Sequence, residues 1–463
     1  MTESNSRAVA TWRTDLAAQP DEWLAGVEQG QRDAGLTYKG KTVMTVAQPS
    51  FVSESTLTAD QVAVEAVLAA LVAAGEAVIE DPALRRRYLG TWLESQPDPD
   101  LFALPTGYPD PIVWGRLDGT RADDGLHFLE FNGGLPGGAT PADLSARVMA
   151  SWPVAAEFAA QQPFRTLTSA TAMMATIEAT WHAYGGSGTP YVVIGLPREL
   201  TDIAASSLVY LAAVAADQGL ELEVADPGDL RHAGGRLRLA DRPVDVLVRG
   251  FFTTMVEYLG PRLDGIRAAL RAGDLCLITS MRSGLYGFKS MFAAITDPDV
   301  DLPLSATTLA TARAHLPWTR LVAPGPVTAP DGSRVDLVDY ATADRNRLVI
   351  KPADGFGGAG VELGWNHTDD SWQAALSTAL AAGGSVLQLR VPMAPQEFSV
   401  LAPGFPVRPF TTDHNPIVSG GRIAGYYVRV TPDAGVTNVT TGAGIAPTFI
   451  LPDRPASASP RIG

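Results

Sequence analysis

Leu348-Val-Ile-Lys-Pro-Ala-Asp-Gly-Phe-Gly-Gly-Ala-Gly-Val-Glu-Leu-Gly364 reads as two β-forming runs with a glycine loop between them. The loop carries Gly355, Gly357, Gly358 and Gly360. Glycines let a backbone fold closely over an anion and turn its N–H groups inward. Lys351 ends the first run, where its ammonium can reach the same phosphates as a point charge. No Gly-Lys-Ser/Thr opens a helix here, so the segment is not a P-loop. A strand rather than a helix follows, so it is not a dinucleotide fingerprint either. A plain glycine-rich hairpin needs the same glycines but has no use for the lysine.

Upstream, Arg116-Leu-Asp118 and Glu130-Phe-Asn132 sit at the ends of two strand-like runs, Ile112 to Leu117 and Leu126 to Phe131. Thr120 to Gly125, between them, has hairpin-turn chemistry. Alternate strand residues share a face, so Glu130 projects with Asn132 and Arg116 with Asp118. Pairing of the strands brings the four together. Two carboxylates and an amide oxygen (Asp118, Glu130, Asn132) form a hard-oxygen set suited to magnesium carrying nucleotide phosphates. Arg116 suits a carboxylate or a phosphate. The same residues also suit a cross-strand salt bridge on a solvated sheet face. The loop that follows, with Gly133, Gly134, Pro136, Gly137 and Gly138, leads into a helix expected to be capped by Thr140, with Pro141 in its first turn. Free backbone donors there suit an acidic substrate or an acyl phosphate, unless the loop is simply a flexible turn. Two weaker signals are Lys289, in a glycine-containing loop, and Gln388, inside the apolar run Ser385 to Val391.

The chain has 463 residues, about three domains' worth at roughly 150 each. At 46% hydrophobic and 18% charged, it can bury a large core. Fifty acids against 35 bases give a net charge of −15, which argues against nucleic acid or an anionic membrane as partner. The single cysteine, Cys276, excludes a disulfide framework, and the six histidines show no metal spacing. The start lacks the apolar core of a signal peptide, and the apolar stretch 203–216 is short for a membrane span. A cytoplasmic protein is the expectation. Residues 1–110 read as a helical region, with one helix capped near Thr58 and Asp60. Residues 111–185 hold the carboxylate strands and a following helix. Residues 186–300 alternate strand and helix as a small parallel α/β unit, 301–451 carry the glycine loop, and 452–463 form a loose tail.

Taken in order, these residues resemble the circularly permuted ATP-grasp ligases, particularly the synthetase domain of glutathionylspermidine synthase. That family shows Arg-x-Asp, then Glu-x-Asn and a proline/glycine loop, matched by Arg116, Asp118, Glu130, Asn132 and Pro136. Its loop lysine matches Lys289. Its Lys-Pro-x-x-Gly-x-Gly-Gly-x-Gly-Val loop matches Lys351 to Val361, and its hinge glutamine matches Gln388. Tyr427-Val-Arg429, Asn438 and Thr441 to Gly444 resemble the closing strands of the ATP-binding half. The family's Ala-Asp-Thr-Pro after Glu-x-Asn is replaced by Gly133-Gly-Leu-Pro136, and no amidase-like segment precedes the motifs. The ATP and magnesium site and the reaction type therefore carry over, but glutathione and spermidine do not.

The resemblance implies an α+β, α/β fold of permuted ATP-grasp type that joins a small-molecule carboxylate to an amine and releases ADP and phosphate. Lys289, Lys351, the loop glycines and Gln388 are then the ATP site. Asp118, Glu130 and Asn132 hold magnesium, and Arg116 steadies the acyl phosphate and the oxyanion that follows. Two other readings are an ATP-binding regulatory or scaffold protein without ligase activity, and a nicotinamide-dependent oxidoreductase built on 186–300. The second lacks a Gly-x-Gly-x-x-Gly after Leu196.

Overall fold

The computed structural model describes residues 3–135, 137–355, 357–432 and 442–453. Its centre is a mixed α/β arrangement of three sheets. The largest is antiparallel, with strands in the order Gly444–Ala446, Arg422–Thr431, Val407–Ser419, Trp114–Ala122, Gly125–Asn132, and Gln396–Ser399 paired to Val407–Ser419. Two tight hairpins build it. Gly420 and Gly421 both have positive φ, the geometry a two-residue turn between twisted strands demands. Asp123 and Asp124 alone turn the other hairpin, so the strands run further into the predicted turn than the apolar pattern suggests.

The glycine loop belongs to a separate four-stranded antiparallel sheet, Thr319–Leu321, Ser385–Leu389, Leu348–Pro352, Glu362–Leu363. Trp372 and Leu376, from the helix Asp369–Ala382, pack with Leu348, Ile350 and Leu387 on one face of it. Residues 301–451 thus divide between two sheets. The third sheet is parallel, ordered Cys276–Ile278, Val246–Arg249, Tyr191–Gly195, Glu221–Ala225. Three of its strands are buried on both faces and read as near-continuous apolar runs, whereas the edge strand Glu221–Ala225 alternates. Cys276 is buried there, and burial pushes its thiol up to about 12, which leaves it unreactive.

The N-terminal helices are sewn into the body. Ser50–Ser53 pairs in parallel with Thr448–Leu451. Trp12, on the helix Glu3–Ala17, is fully buried against Phe51, Phe158 and Phe449 and donates to the Ala47 carbonyl at 2.8 Å.

Several boundaries differ from the sequence reading. The long helix runs Glu54–Glu80 and is capped by Ser53, whose Oγ accepts from Thr56 N, so Thr58 and Asp60 lie inside it. Asp60 is instead buried, holding Arg121 and the Tyr426 hydroxyl. The helix after the carboxylate hairpin starts at Ala139. Gly138, with φ +101, turns the chain into it two residues before Thr140. Lys289 opens the helix Lys289–Thr296 rather than sitting in a loop. The apolar stretch 203–216 lies in a 20-residue helix, Arg198–Asp217, extended by a polar first turn. By length and composition that helix and Glu54–Glu80 are both long and apolar enough to cross a membrane. Most of the second is buried in the protein, and most of the first is exposed. Pro136, Asn438, Thr441 and the tail from residue 454 lie outside the described residues.

Trp12→Ala is expected to lower stability by about 3–5 kcal/mol, the range for emptying a buried aromatic site. Urea denaturation followed by far-UV circular dichroism measures it, and an N-terminal helix that merely decorates the surface would show almost no change.

Candidate active site

The carboxylate hairpin pairs Arg116 with Asn132 and Asp118 with Glu130 in register. Register then shifts between Asp118 and Gly119, which leaves Leu129 as the extra residue of a bulge. Gly119 N is held by the fully buried Asn415 side chain at 2.9 Å. All four predicted residues share one face, and that face lines a cavity instead of facing solvent. The Arg116–Asp118 pair, two residues apart on one strand, is therefore an ion pair in a cavity wall, not a solvated surface contact.

Asp118 is 5% exposed and accepts four hydrogen bonds. Oδ1 takes Arg116 Nε and Asn132 Nδ2 (3.2 Å); Oδ2 takes Arg116 Nη2 and Arg429 Nη2, both at 3.0 Å. A carboxylate has about four lone-pair directions, so all are used. Arg429 lies two strands away, opposite Asp413 of the intervening strand, and also pairs with Asp413, its Nε 2.9 Å from Oδ2. The Tyr427 ring lies 5.8 Å from the Arg116 guanidinium carbon and 5.9 Å from that of Arg429. Burial pushes the Asp118 carboxyl up, but the two arginines more than offset this and hold it below the ordinary carboxylate range. Asp413 goes the other way. Burial raises it to about 6, with Arg429 only partly compensating.

The glycine-loop sheet meets this hairpin through lysines. Lys289 Nζ is 3.2 Å from Glu130 Oε2 and donates to the Gly355 carbonyl at 2.7 Å. Lys351 Nζ donates to Gln388 Oε1 at 2.6 Å. Gln388 Nε2 in turn reaches Thr319 Oγ1 at 3.2 Å and the bulged Leu129 carbonyl at 3.5 Å, tying the two sheets together. Burial lowers Lys351 from 10.5 to about 8.

Two cavities meet over these groups. A smaller one, about 210 Å³, is lined by Lys289, Lys351, Gln388 and the loop glycines Gly355, Gly357 and Gly358. Gly360 stands outside that lining, in the return of the loop. A larger one, about 490 Å³, is lined by Arg116, Asn132, Gly133, Gly134, Gly137 and Gly138. Asp118, Glu130, Gly357 and Arg429 border both. Gly133 cannot be replaced at constant backbone, because a Cβ would lie 2.2 Å from the Ser283 carbonyl oxygen. The Gly137 carbonyl accepts from Arg116 and the Gly133 carbonyl from Arg249 and Ser283.

A hard divalent cation fits beside Glu130 and Asn132, whose oxygens are of the required type. Ligation by Asp118 requires Arg116, Arg429 or Asn132 to give up a hydrogen bond. Among the described residues no cluster of three His, Cys, Asp or Glu side chains forms a metal site, so the amide oxygen is essential to this one. Arg429, Asp413 and Arg249 were not among the expected site residues. Tyr427 and Arg429 do alternate on a strand, the one signal that placed Arg429 with its neighbours.

No family model matches the chain, and no curated protein sequence matches it. A glutathione synthetase-like effector from Globodera pallida has a similar structure, with TM-score 0.60 and 11% identity over 94% of this chain and 99% of its own. A protein assigned as a gamma-glutamylcysteine synthetase from Methylobacillus flagellatus aligns more weakly, with TM-score 0.41 and 12% identity over 81% of this chain and 85% of its own. The fold is therefore similar to that of the glutathione synthetase-like effector.

Asp118→Ala is expected to cost about 3–5 kcal/mol, since it strands the largely buried Arg116 and leaves Arg429 with Asp413 alone. Because the native Asp118 value is depressed, its stabilisation is complete above the ordinary carboxylate range and is lost as pH falls through the native value. Asp118→Asn should therefore flatten the acid limb of a thermal-stability profile, and an unchanged acid limb would contradict the depressed carboxyl.

Proposed function

We propose that this chain is an ATP-dependent carboxylate–amine ligase of permuted ATP-grasp type, acting through an acyl phosphate and releasing ADP and phosphate. The observation that carries the reading is the convergence of Glu130 and Lys351, far apart in sequence, on one small cavity that opens onto a larger one. The small cavity takes the nucleotide. Lys289, Lys351 and the inward glycine loop bind the triphosphate, and the apolar walls Val349, Leu363 and Met393 suit a base. Magnesium, taken by Glu130 and Asn132 with Asp118 as a third donor, supplies charge neutralisation on the transferring phosphoryl group.

The larger cavity takes the carboxylate and the amine. A carboxylate oxygen attacks the γ-phosphorus and the bond to the β-phosphate oxygen breaks, giving an acyl phosphate and ADP. The amine nitrogen then attacks the acyl carbon, loses a proton, and phosphate leaves. Arg116 lies where it can meet both the acyl phosphate and the tetrahedral oxyanion. The loop containing Gly357 borders both cavities, so its closure excludes the water that would hydrolyse the intermediate.

A screen of amino-acid and amine pairs for ADP release tests the assignment, and stoichiometric AMP would refute it. Glu130→Ala should weaken magnesium–ATP binding and be partly rescued by added magnesium. Arg116→Ala should leave nucleotide affinity nearly intact and cut turnover by about 10²–10³-fold, the scale for one oxyanion donor. Identical kinetics for the two folded variants would mean that the two residues serve only as structural partners, of Asp118 and Lys289 respectively.

Lys351 adds a pH signature. It binds phosphates as an ammonium, so nucleotide affinity in the free protein should fall as pH rises through about 8. Its native value lies below the unfolded one, so the same lysine makes stability rise with pH between about 8 and 10.5. Calorimetric ATP titrations and melting curves across that window should show both trends, and Lys351→Met should remove both.

A further inference from the structure

The wall of the larger cavity changes character away from the nucleotide. Three separate stretches of chain supply an apolar part of it: Leu36, Tyr38 and Val43, then Ile203, then Phe252. None of these five lines the smaller cavity. Ser206, Ser207 and Thr253 add hydroxyls between them. Among the described residues the charged groups on the cavity wall are Arg116, Asp118, Glu130, Arg249, Asp354 and Arg429. None of these comes from 35–43 or from the helix Arg198–Asp217.

Backbone geometry fixes these stretches together. Lys39 and Gly40, both with positive φ, turn a short hairpin between Thr37–Tyr38 and Lys41–Thr42. Leu36 and Val43 close its base, with Val43 N donating to the Leu36 carbonyl at 3.1 Å. The Val43 carbonyl accepts from Ile445 N of the large sheet at 2.9 Å, which anchors the hairpin. Gly35, with φ +75, sets it against the helix, since a Cβ there would lie 3.0 Å from Ser206 Cβ. The charges in the helix's first turn are engaged elsewhere, Arg198 with Asp226 at 3.2 Å and Glu199 with Arg262 at 2.7 Å. Ile203 and Phe252 stay 74% and 55% exposed. Single exposed apolar side chains are ordinary. Two on one concave wall, with Leu36 and Val43 on the same wall, form an apolar patch that a ligand's apolar group can cover.

We propose that this wall is a side-chain subsite, and that one of the two substrates carries a large apolar group of the size of a leucine or phenylalanine side chain. This rests on reading the larger cavity as the ligase substrate site. The group arrives either on the acyl donor or on the amine. It does not react, so its contacts are the same before and during the chemical step, and the wall acts on KM rather than on kcat. A linear polyamine fits poorly. It sets ammonium groups against a wall with no acid among the described residues, beside Lys39, whose ammonium lies 5.4 Å from the centre of the Tyr38 ring.

A side-chain series tests this on the intact protein with ATP and magnesium. In the donor arm, leucine, phenylalanine, glycine, serine and glutamate are supplied singly, with hydroxylamine as the common amine. In the amine arm, the α-amides of leucine, phenylalanine, glycine and serine, and spermidine, serve as nucleophiles for the same pooled donors. Binding is read by thermal stabilisation and turnover by ADP release. One arm should favour its leucine and phenylalanine members by about 10–100-fold in kcat/KM, the scale of burying one such side chain. Ile203→Ser and Phe252→Ser change exposed positions, so the double variant should fold, and it should lose most of that preference through a raised KM. Equal or weaker treatment of the apolar members in both arms by the wild type, in binding as in turnover, overturns the subsite. So does a folded double variant that keeps the preference, or one that changes the mass in solution and not the preference, which would assign the wall to a contact between copies. Apolar-selective binding without any ADP release would support the subsite while refuting the ligase assignment. ADP release that ignores the side chain would do the reverse.

Discussion

The Asp118 carboxylate is the junction on which the site depends. It gathers Arg116 and Asn132 from its own hairpin and Arg429 from a strand some three hundred residues later. Breaking any one of these contacts leaves a buried donor or charge uncompensated, so the group is held together by the penalty of separation as much as by attraction. Through Arg116 the same carboxylate reaches the Gly137 carbonyl, and through Arg429 it reaches Asp413. One ion therefore sets the spacing of the hairpin, the loop beside it and the long strand.

The second junction is the glutamine–lysine bridge between sheets. A bulge frees the Leu129 carbonyl, Gln388 spans to it, and Lys351 is oriented by the other end of the same amide. The bulge thus serves two purposes: it turns Glu130 towards Lys289, and it supplies the acceptor that joins the antiparallel sheets.

Much of this was legible from residue order. Period-two alternation placed Arg116, Asp118, Glu130 and Asn132 on one face, and the lysine at a strand end beside clustered glycines marked the loop. Other parts were hidden for physical reasons. Val407–Ser419 carries Pro409, Pro416, Asp413 and Asn415, all poor strand formers, and its pairing is sustained by tertiary contacts that no local window contains. Asp413, the partner of Arg429, disappeared with it. Lys289 read as a loop residue because Gly284 and Gly287 precede it, whereas the chain forms two short helices there. Arg249 follows an apolar run, and a charge at such a position reads as the solvent-facing end of a strand until the walls around it are known.

The parallel pairing of Ser50–Ser53 with Thr448–Leu451 also governs the molecule's birth. Partners on this seam, such as Ser55 and Asp453, are 398 residues apart. Thermodynamically so long a closure adds little, since its entropy grows only logarithmically with length. Kinetically it is decisive. At about 5–20 residues per second, the early strand waits roughly 20–80 s on the ribosome before its mate exists. Throughout that interval Trp12 and Phe51 lack Phe449, a member of their aromatic cluster, and are exposed to holding chaperones or to premature association with other nascent chains.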